Sequence, residues 1–216
     1  MAGPLSLRRA TSSDVPAMGL IGTRAFRDTL STVIFPASLR TSANEDAETT
    51  WRTARTLRRM NEGKDTFVVV DTDSNTGEET VVGFTQWERP GMAATKGQEG
   101  QHDEDKITEG MDREALAKMM GLMEEDAKKH LGPEGHANMW YLIILGVDPN
   151  HQRRGIGKRL VRWGLEQAAA EGQQVFLIAT PEGRPLYESL GFQVLGEFET
   201  LGLVHYSMLW TPGVVN

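Results

Sequence analysis

The stretch Leu145-Gly-Val-Asp-Pro-Asn-His-Gln-Arg-Arg-Gly-Ile-Gly-Lys158 decides how the rest of the chain is read. It closes a near-continuous apolar run, 139–147, of the kind expected for a central strand covered on both faces. A turn holding Pro149 follows, and Gln152-Arg-Arg-Gly-Ile-Gly157 leads straight into a helix expected over 155–170. That helix turns Ile156, Leu160, Leu165 and Ala168 inward and stops at Gly172. The first backbone N–H groups of a helix have no intrahelical acceptor, and the helix dipole favours an anion above them. Glycines at 155 and 157 let the backbone approach such an anion without an obstructing Cβ. Arg153, Arg154, Lys158 and Arg159 add positive charge around the same point. Together these residues describe a pyrophosphate cradle.

Two common phosphate loops are excluded. A P-loop needs glycine five residues before the Gly-Lys pair and Ser or Thr after it, where this chain has Gln152 and Arg159. The dinucleotide fingerprint needs glycine where Leu160 stands.

Downstream, the pattern reads strand (175–180), short helix (185–190, ended by Gly191) and two strands (192–198 and 204–210). Upstream it reads strand around Leu5 and Leu7, then a helix capped by Ser13 or Asp14 that carries Val15, Met18, Ile21 and Phe26. A second helix, 43–60, places Ala47, Trp51, Ala54 and Leu57 at helical spacing. Strands at 66–71 and 81–88 flank the turn Asp73-Ser-Asn-Thr-Gly77. Residues 89–137 look like an insertion. Its first half is polar, with the His-Asp-Glu-Asp-Lys run at 102–106. Its second half is a helix carrying Leu116, Met119, Met120, Met123 and Ala127 on one face. A Met-rich face either lines an adaptable pocket or packs on the core, the second being commoner. The expected fold is a single α/β (α+β) domain over 1–216: a mixed central sheet of about six or seven strands flanked by helices, with the loop-helix insertion at 89–137.

Composition narrows the function. The 216 residues carry 23 Lys and Arg against 30 Asp and Glu, a net charge of −7, which argues against general affinity for nucleic acid or anionic membrane. There is no cysteine, so disulfides, thiolate catalysis and Cys-ligated metals are excluded. His102, His130, His136 and His151 show no ligand spacing, and no metal is expected. With no apolar leader or membrane span, a cytoplasmic protein is expected.

Residues 139–195 resemble the GNAT superfamily of N-acetyltransferases. Gln152-Arg-Arg-Gly-Ile-Gly157 is similar to that family's Gln/Arg-x-x-Gly-x-Gly/Ala acetyl-CoA loop, and Pro185-Leu-Tyr-Glu-Ser-Leu-Gly-Phe192 to its Leu-Tyr-x-x-x-Gly-Phe segment. The stretch Ala179–Tyr187 resembles uncharacterised fungal members most. The resemblance implies an acyl-CoA N-acyltransferase-like fold and an enzyme that moves the acetyl group of acetyl-CoA directly to the primary amine of a small molecule. A protein or peptide N-acetyltransferase and a non-catalytic acyl-CoA-binding module are the alternatives. It further implies that Leu145-Gly146-Val147 splays from the strand at 175–180 and pairs with the pantetheine arm. The Val147 N–H would meet the acetyl carbonyl. The amides of Arg153, Arg154, Gly155, Ile156, Gly157 and Lys158, with Gln152 beside them, would hold the pyrophosphate. Thr180, Gly183 and Leu186 would border the thiol, and Tyr187 would face the sulfur. A monomer or homodimer is expected.

The chemistry sets two proton problems. An alkylamine of pKa about 10.4 is only roughly one part in 2,500 neutral at pH 7, a cost of about 4.6 kcal/mol. The departing thiolate needs a proton, and a tyrosine, protonated at pH 7, can give one. Tyr187 is the candidate acid. Glu88 beside Trp87, His205 on a late strand, and a chain of waters are the candidate bases.

Overall fold

A computed structural model describes residues 3–92 and 108–213. Seven strands form one mixed sheet: β1 (Leu5–Arg9), β2 (Asp65–Thr72), β3 (Glu79–Glu88), β4 (Trp140–Val147), β5 (Val175–Ala179), β6 (Gln193–Thr200) and β7 (Leu203–Trp210), in the order β1-β2-β3-β4-β5-β7-β6. Six α-helices flank it among the described residues: α1 (Val15–Ala25), α2 (Leu30–Ile34), α3 (Ala47–Asn61), α4 (Arg113–Leu131), α5 (Ile156–Ala170) and α6 (Arg184–Glu188). The sheet and its flanking helices match the architecture the sequence led us to expect. The short α2 is an addition to it. The polar first half of the insertion, with its run at 102–106, lies largely outside the described residues.

Every neighbouring pair is antiparallel except β4 and β5, which run parallel and meet only at Trp140↔Val175 and Tyr141↔Phe176. Beyond Tyr141 the two strands part. β4 stays on β3 as far as Val147↔Gly83, through a bulge between Gln86 and Trp87. On one face of the sheet, α5 packs Val161, Leu165 and Ala168 against Trp87, Trp140, Leu142 and Leu177. On the other, Met18 and Ile21 of α1 meet Val68, Val70 and Phe84.

One helix turns a different face inward from the one expected. Ala47, Trp51, Ala54 and Leu57 give α3 its apolar spacing, but Leu57 is 39% exposed. The buried face of α3 holds Glu48, Trp51, Arg52, Arg55, Thr56 and Arg59. Burial of arginine is tolerated where ion pairs, aromatic faces or a polar cavity receive it. Ion pairing, at Arg52, and an aromatic face, under Arg55, both occur here.

Gly164, in the middle of α5, costs helix stability in exchange for close helix–sheet approach. A Cβ at this position would overlap the Trp87 indole. Gly164→Ala is therefore expected to destabilise the protein by about 1–3 kcal/mol, despite alanine's better helix propensity. Urea unfolding of the two proteins checks this, and an unchanged or raised midpoint would contradict the packing account.

Candidate active site

The bare amides at the start of α5 can be counted. Gly155 is the N-cap with φ +77°, and Arg153 also sits at positive φ (+62°). No side chain caps this helix, and its first internal bond runs from the Arg159 N–H to the Gly155 carbonyl. Among the described residues no hydrogen bond is donated by the backbone N–H groups of 153–158. Gln152, Arg153 and Gly155 are exposed, so the turn opens to solvent. A Cβ on Gly155 would meet open space, so glycine is needed there for its φ. A Cβ on Gly157 would lie 3.1 Å from Leu186 and 3.7–3.8 Å from Leu145 and Val147, which seats the helix start on the end of β4. This is a cradle that a diphosphate fits.

The cations around the turn divide. Arg154 bonds Asp71 at 2.6 Å and the Gly3 carbonyl at 3.3 Å, and Arg159 reaches the Leu5 carbonyl. Both side chains brace α5 to the first two strands. The expectation that their guanidiniums surround the anion is corrected accordingly, while the Arg154 N–H stays in the cradle. Arg153 and Lys158 are the cations that these braces leave at the turn. Asp148 opens the turn, accepting from the Asn150 N–H at 2.9 Å. It also accepts from Arg24 at 2.9 Å, tying α1 to the loop.

The parting of β4 from β5 sets which backbone groups face the gap. The Asp148 N–H donates to the Val82 carbonyl, so Gly146 and Asp148 point at β3. With a period of two, the amides and carbonyls of Leu145 and Val147 point into the fork.

A cavity of about 240 Å³ continues from that fork. Its floor is Leu142 to Leu145 on one strand and Leu177 to Thr180 on the other. Gly183 and Tyr187 of the α6 segment and His205 of β7 close one end. Met119, Met120 and Met123 of α4 form a wall, so the Met-rich face both packs and lines the cavity. Arg52, Arg55 and Arg59 of α3 line the cavity as well. The α4 wall is held to the sheet by Ser207, which donates to Asp126 at 2.5 Å.

The candidate proton-transfer groups separate here. Tyr187 is buried on the cavity wall, packed edge-on against Phe192 at 5.7 Å. Burial pushes its phenol well above the ordinary tyrosine value, so it stays protonated. His205 is 2% exposed. Its Nδ1 lies 3.0 Å from the Leu203 carbonyl, which can only accept, so Nδ1 carries the proton. Its Nε2 is buried with no hydrogen-bond partner. Burial lowers its pKa below 6.5, against the smaller opposing effect of the Leu203 carbonyl. Glu88, by contrast, forms a close, half-buried ion pair with Lys64 and does not line the cavity. Its carboxylate is taken up by Lys64 away from the cavity, and Glu88 is withdrawn as a candidate. Val147 also stops short of the cavity that Leu145 reaches.

The three arginines are what the sequence did not reveal. Arg52, Arg55 and Arg59 recur at helical spacing, which is a legible signal once α3 is known to face a cavity.

The model of the acetyltransferase (GNAT) domain matches residues 114–194. An acetyltransferase of Stachybotrys chartarum is 26% identical over 196 residues, covering 89% of this chain and 82% of that protein. The crystal structure of a histone acetyltransferase HPA2 and related acetyltransferase from Corynebacterium glutamicum superposes with TM-score 0.66 at 20% identity, covering 100% of this chain and 99% of that one. The putative acetyltransferase yncA of Salmonella typhimurium, solved with acetyl-CoA, gives TM-score 0.54 at 17% identity over 96% of this chain and 93% of that one. Residues 114–194 are thus similar to an acetyltransferase (GNAT) domain, and the fold is the one shared with these solved acetyltransferases.

The buried neutral imidazole has a consequence for stability. Its folded pKa is depressed, so below about pH 6.5 the unfolded chain takes up a proton that the folded chain resists. The stabilisation is complete above pH 6.5 and is lost as pH falls below it. Denaturant midpoints between pH 8 and 5 should show this loss in the wild type and a shallower one in His205→Gln. Equal slopes would place the imidazole in water.

Proposed function

We propose that this single domain transfers the acetyl group of acetyl-CoA to the primary amine of a small molecule, without a covalent enzyme intermediate. The observation that carries the reading is the cavity: it is continuous with the β4–β5 fork and walled by α4 of the insertion. A peptide-modifying enzyme needs an open groove at that place. Acetyl-CoA supplies the activated acyl group as a thioester.

The amides of 153–158 hold the diphosphate, and Arg153 and Lys158 add charge beside it. The fork-facing backbone groups of Leu145 and Val147 take the pantetheine amides in a strand-addition mode. Leu145, whose position the cavity reaches, donates its N–H to the acetyl carbonyl and stabilises the negative charge that develops there. This moves the donor from Val147, where the motif alone put it, one step deeper along β4. Thr180 and Gly183 border the sulfur, and Leu186 backs the start of α5. His205 Nε2 accepts the proton of the incoming ammonium, directly or through a water. The Tyr187 hydroxyl gives its proton to the departing thiolate and regains one from the nitrogen, which sheds its second proton as the amide forms.

Calorimetry tests the cradle. The wild type should bind CoA, and Gly157→Asp should lose about 100-fold or more in affinity, because a carboxylate then stands where the diphosphate binds. The added Cβ presses only on the flexible end of Leu186 and stands at ordinary contact distance from Leu145 and Val147, so the melting temperature should hold. Intact binding in the variant would refute the cradle.

The two proton-transfer roles are tested by release of CoA thiol over an amine panel. Tyr187→Phe should lower kcat about 100-fold with little change in CoA affinity. His205→Gln should remove the ascending limb of kcat/KM, which in the wild type lies below pH 6.5. An unchanged profile in either variant would remove that residue from the mechanism. Transfer to peptides and to none of the small amines would overturn the substrate class.

A further inference from the structure

The cavity lies between two packed clusters. Leu142, Leu177, Ala179 and Tyr187 belong to the one under the fork. Leu30, Ile34, Trp51, Met119, Met120 and Met123 belong to a second, built where α2, α3 and α4 meet. The frame of this second end is fixed by main chain and by a closed ion pair. The Asp112 N–H donates to the Ile34 carbonyl at 2.8 Å, joining the head of α4 to the tail of α2. The Asp112 carboxylate caps α4 by accepting from the Ala115 N–H at 2.9 Å. Ser31 of α2 and Arg52 of α3 both donate to Glu48, at 2.5 Å and 2.9 Å. The charge of Arg52 is thereby answered within the protein. Arg55 lies over the Trp51 ring, and Arg55 and Arg59 both have partners of their own. What this end offers a ligand is apolar. Of its six side chains only Trp51 bears a hydrogen-bonding group, an indole N–H that cannot accept. Among the described residues no Asp or Glu lines the cavity.

We infer that the acceptor is a primary amine carrying an apolar body of about six to eight carbons, seated between α2 and the Met face of α4 with its nitrogen at the Tyr187 and His205 end. This deepens the acetyl-transfer reading and rests on it. Volume bounds the size. An apolar cavity of about 150 Å³ holds benzene, so one of about 240 Å³ holds a body of that size with a short arm. The lining sets the class. Each methylene that leaves water for this end is favourable, whereas a hydroxyl or a second ammonium placed there loses its hydration and finds no acceptor. Met120 and Met123 are half-buried, unbranched and polarisable, so they can close on a straight chain or on a ring. They are the specificity-determining residues of this end.

The test measures kcat/KM for straight-chain amines from ethylamine to octylamine, using acetyl-CoA and following thiol release. Each added methylene should raise the value about fourfold while the chain is still filling the cavity. Hexylamine should exceed 5-aminopentan-1-ol and 1,5-diaminopentane, which differ from it mainly at the far end, by at least about tenfold. Met120→Gln and Met123→Gln should each lower the hexylamine-to-ethylamine ratio about tenfold, with CoA affinity kept. A flat series, or a preference for either polar-ended amine, overturns the inference in the wild type alone, even if the variants do not fold. A second readout needs no turnover: by calorimetry on the protein saturated with CoA, hexylamine should bind at least about tenfold more tightly than ethylamine. If CoA binds but no amine is acetylated, the acetyl-transfer reading fails. The calorimetric ratio then decides the apolar seat alone: a preference for hexylamine that falls in Met123→Gln upholds it, and a ratio near one in the wild type overturns it.

Discussion

A parallel pair of strands that stays together for two residues and then opens is the constraint on which the rest of this structure depends. Sheets satisfy buried backbone groups by pairing, and a strand parted from its neighbour leaves one row of N–H and C=O groups open. β4 keeps its bonds to β3 and gives up those to β5 beyond Tyr141. The start of α5 stands at the mouth of that opening, and the cavity lies at its inner end. Below the fork Trp87, Trp140 and Trp163 pack with ring centroids 6.2–6.5 Å apart. They give the strands a rigid base from which to diverge. Gly164 belongs to the same device, because the indole of Trp87 occupies the volume of its missing side chain.

Open backbone at a helix start and open backbone along a strand offer an extended ligand two places to bind. Both are fixed by main chain, so neither depends on a flexible side chain adopting one rotamer. This explains why Arg154 and Arg159 can be used elsewhere, as braces between α5 and the first two strands. A loop whose amides do the binding needs its own position held, and cations tied to Asp71 and to the Gly3 and Leu5 carbonyls hold it. Arg24, reaching Asp148, fixes the other side of the same loop from α1. Since Gly22 and Phe26 near the end of α1 also line the cavity, donor loop and acceptor cavity share a support.

What the sequence disclosed follows from the range of the interactions involved. The cradle was legible because its determinants are consecutive: a buried strand, a turn, two glycines and a helix within about twenty residues. The seven strands were legible from apolar runs bounded by turn residues. α3 was misread because amphipathic spacing assumes that the apolar face turns inward. Here the inward face meets a cavity, and Leu57 is left outside while arginines enter. Glu88 looked like a base because a carboxylate at a strand end beside a tryptophan suits a pocket. Its partner, Lys64, is 24 positions away, and no local pattern announces that pairing. His205 had the opposite fate. Nothing near it in sequence marks a site, yet the Leu203 carbonyl two residues before it fixes its tautomer and β7 delivers it to the cavity.

Net charge and local charge point in opposite directions, and distance decides between them. The −7 of the whole chain acts through solvent, where charges more than about 8–10 Å apart are largely screened. The buried Arg52–Glu48 pair acts across a few ångströms of poorly screened interior, where two unit charges 4 Å apart interact by about 4 kcal/mol at an effective dielectric of 20. The helix start shows the same division: its unpaired amides and the cations Arg153 and Lys158 offset locally the acidity of the rest of the surface.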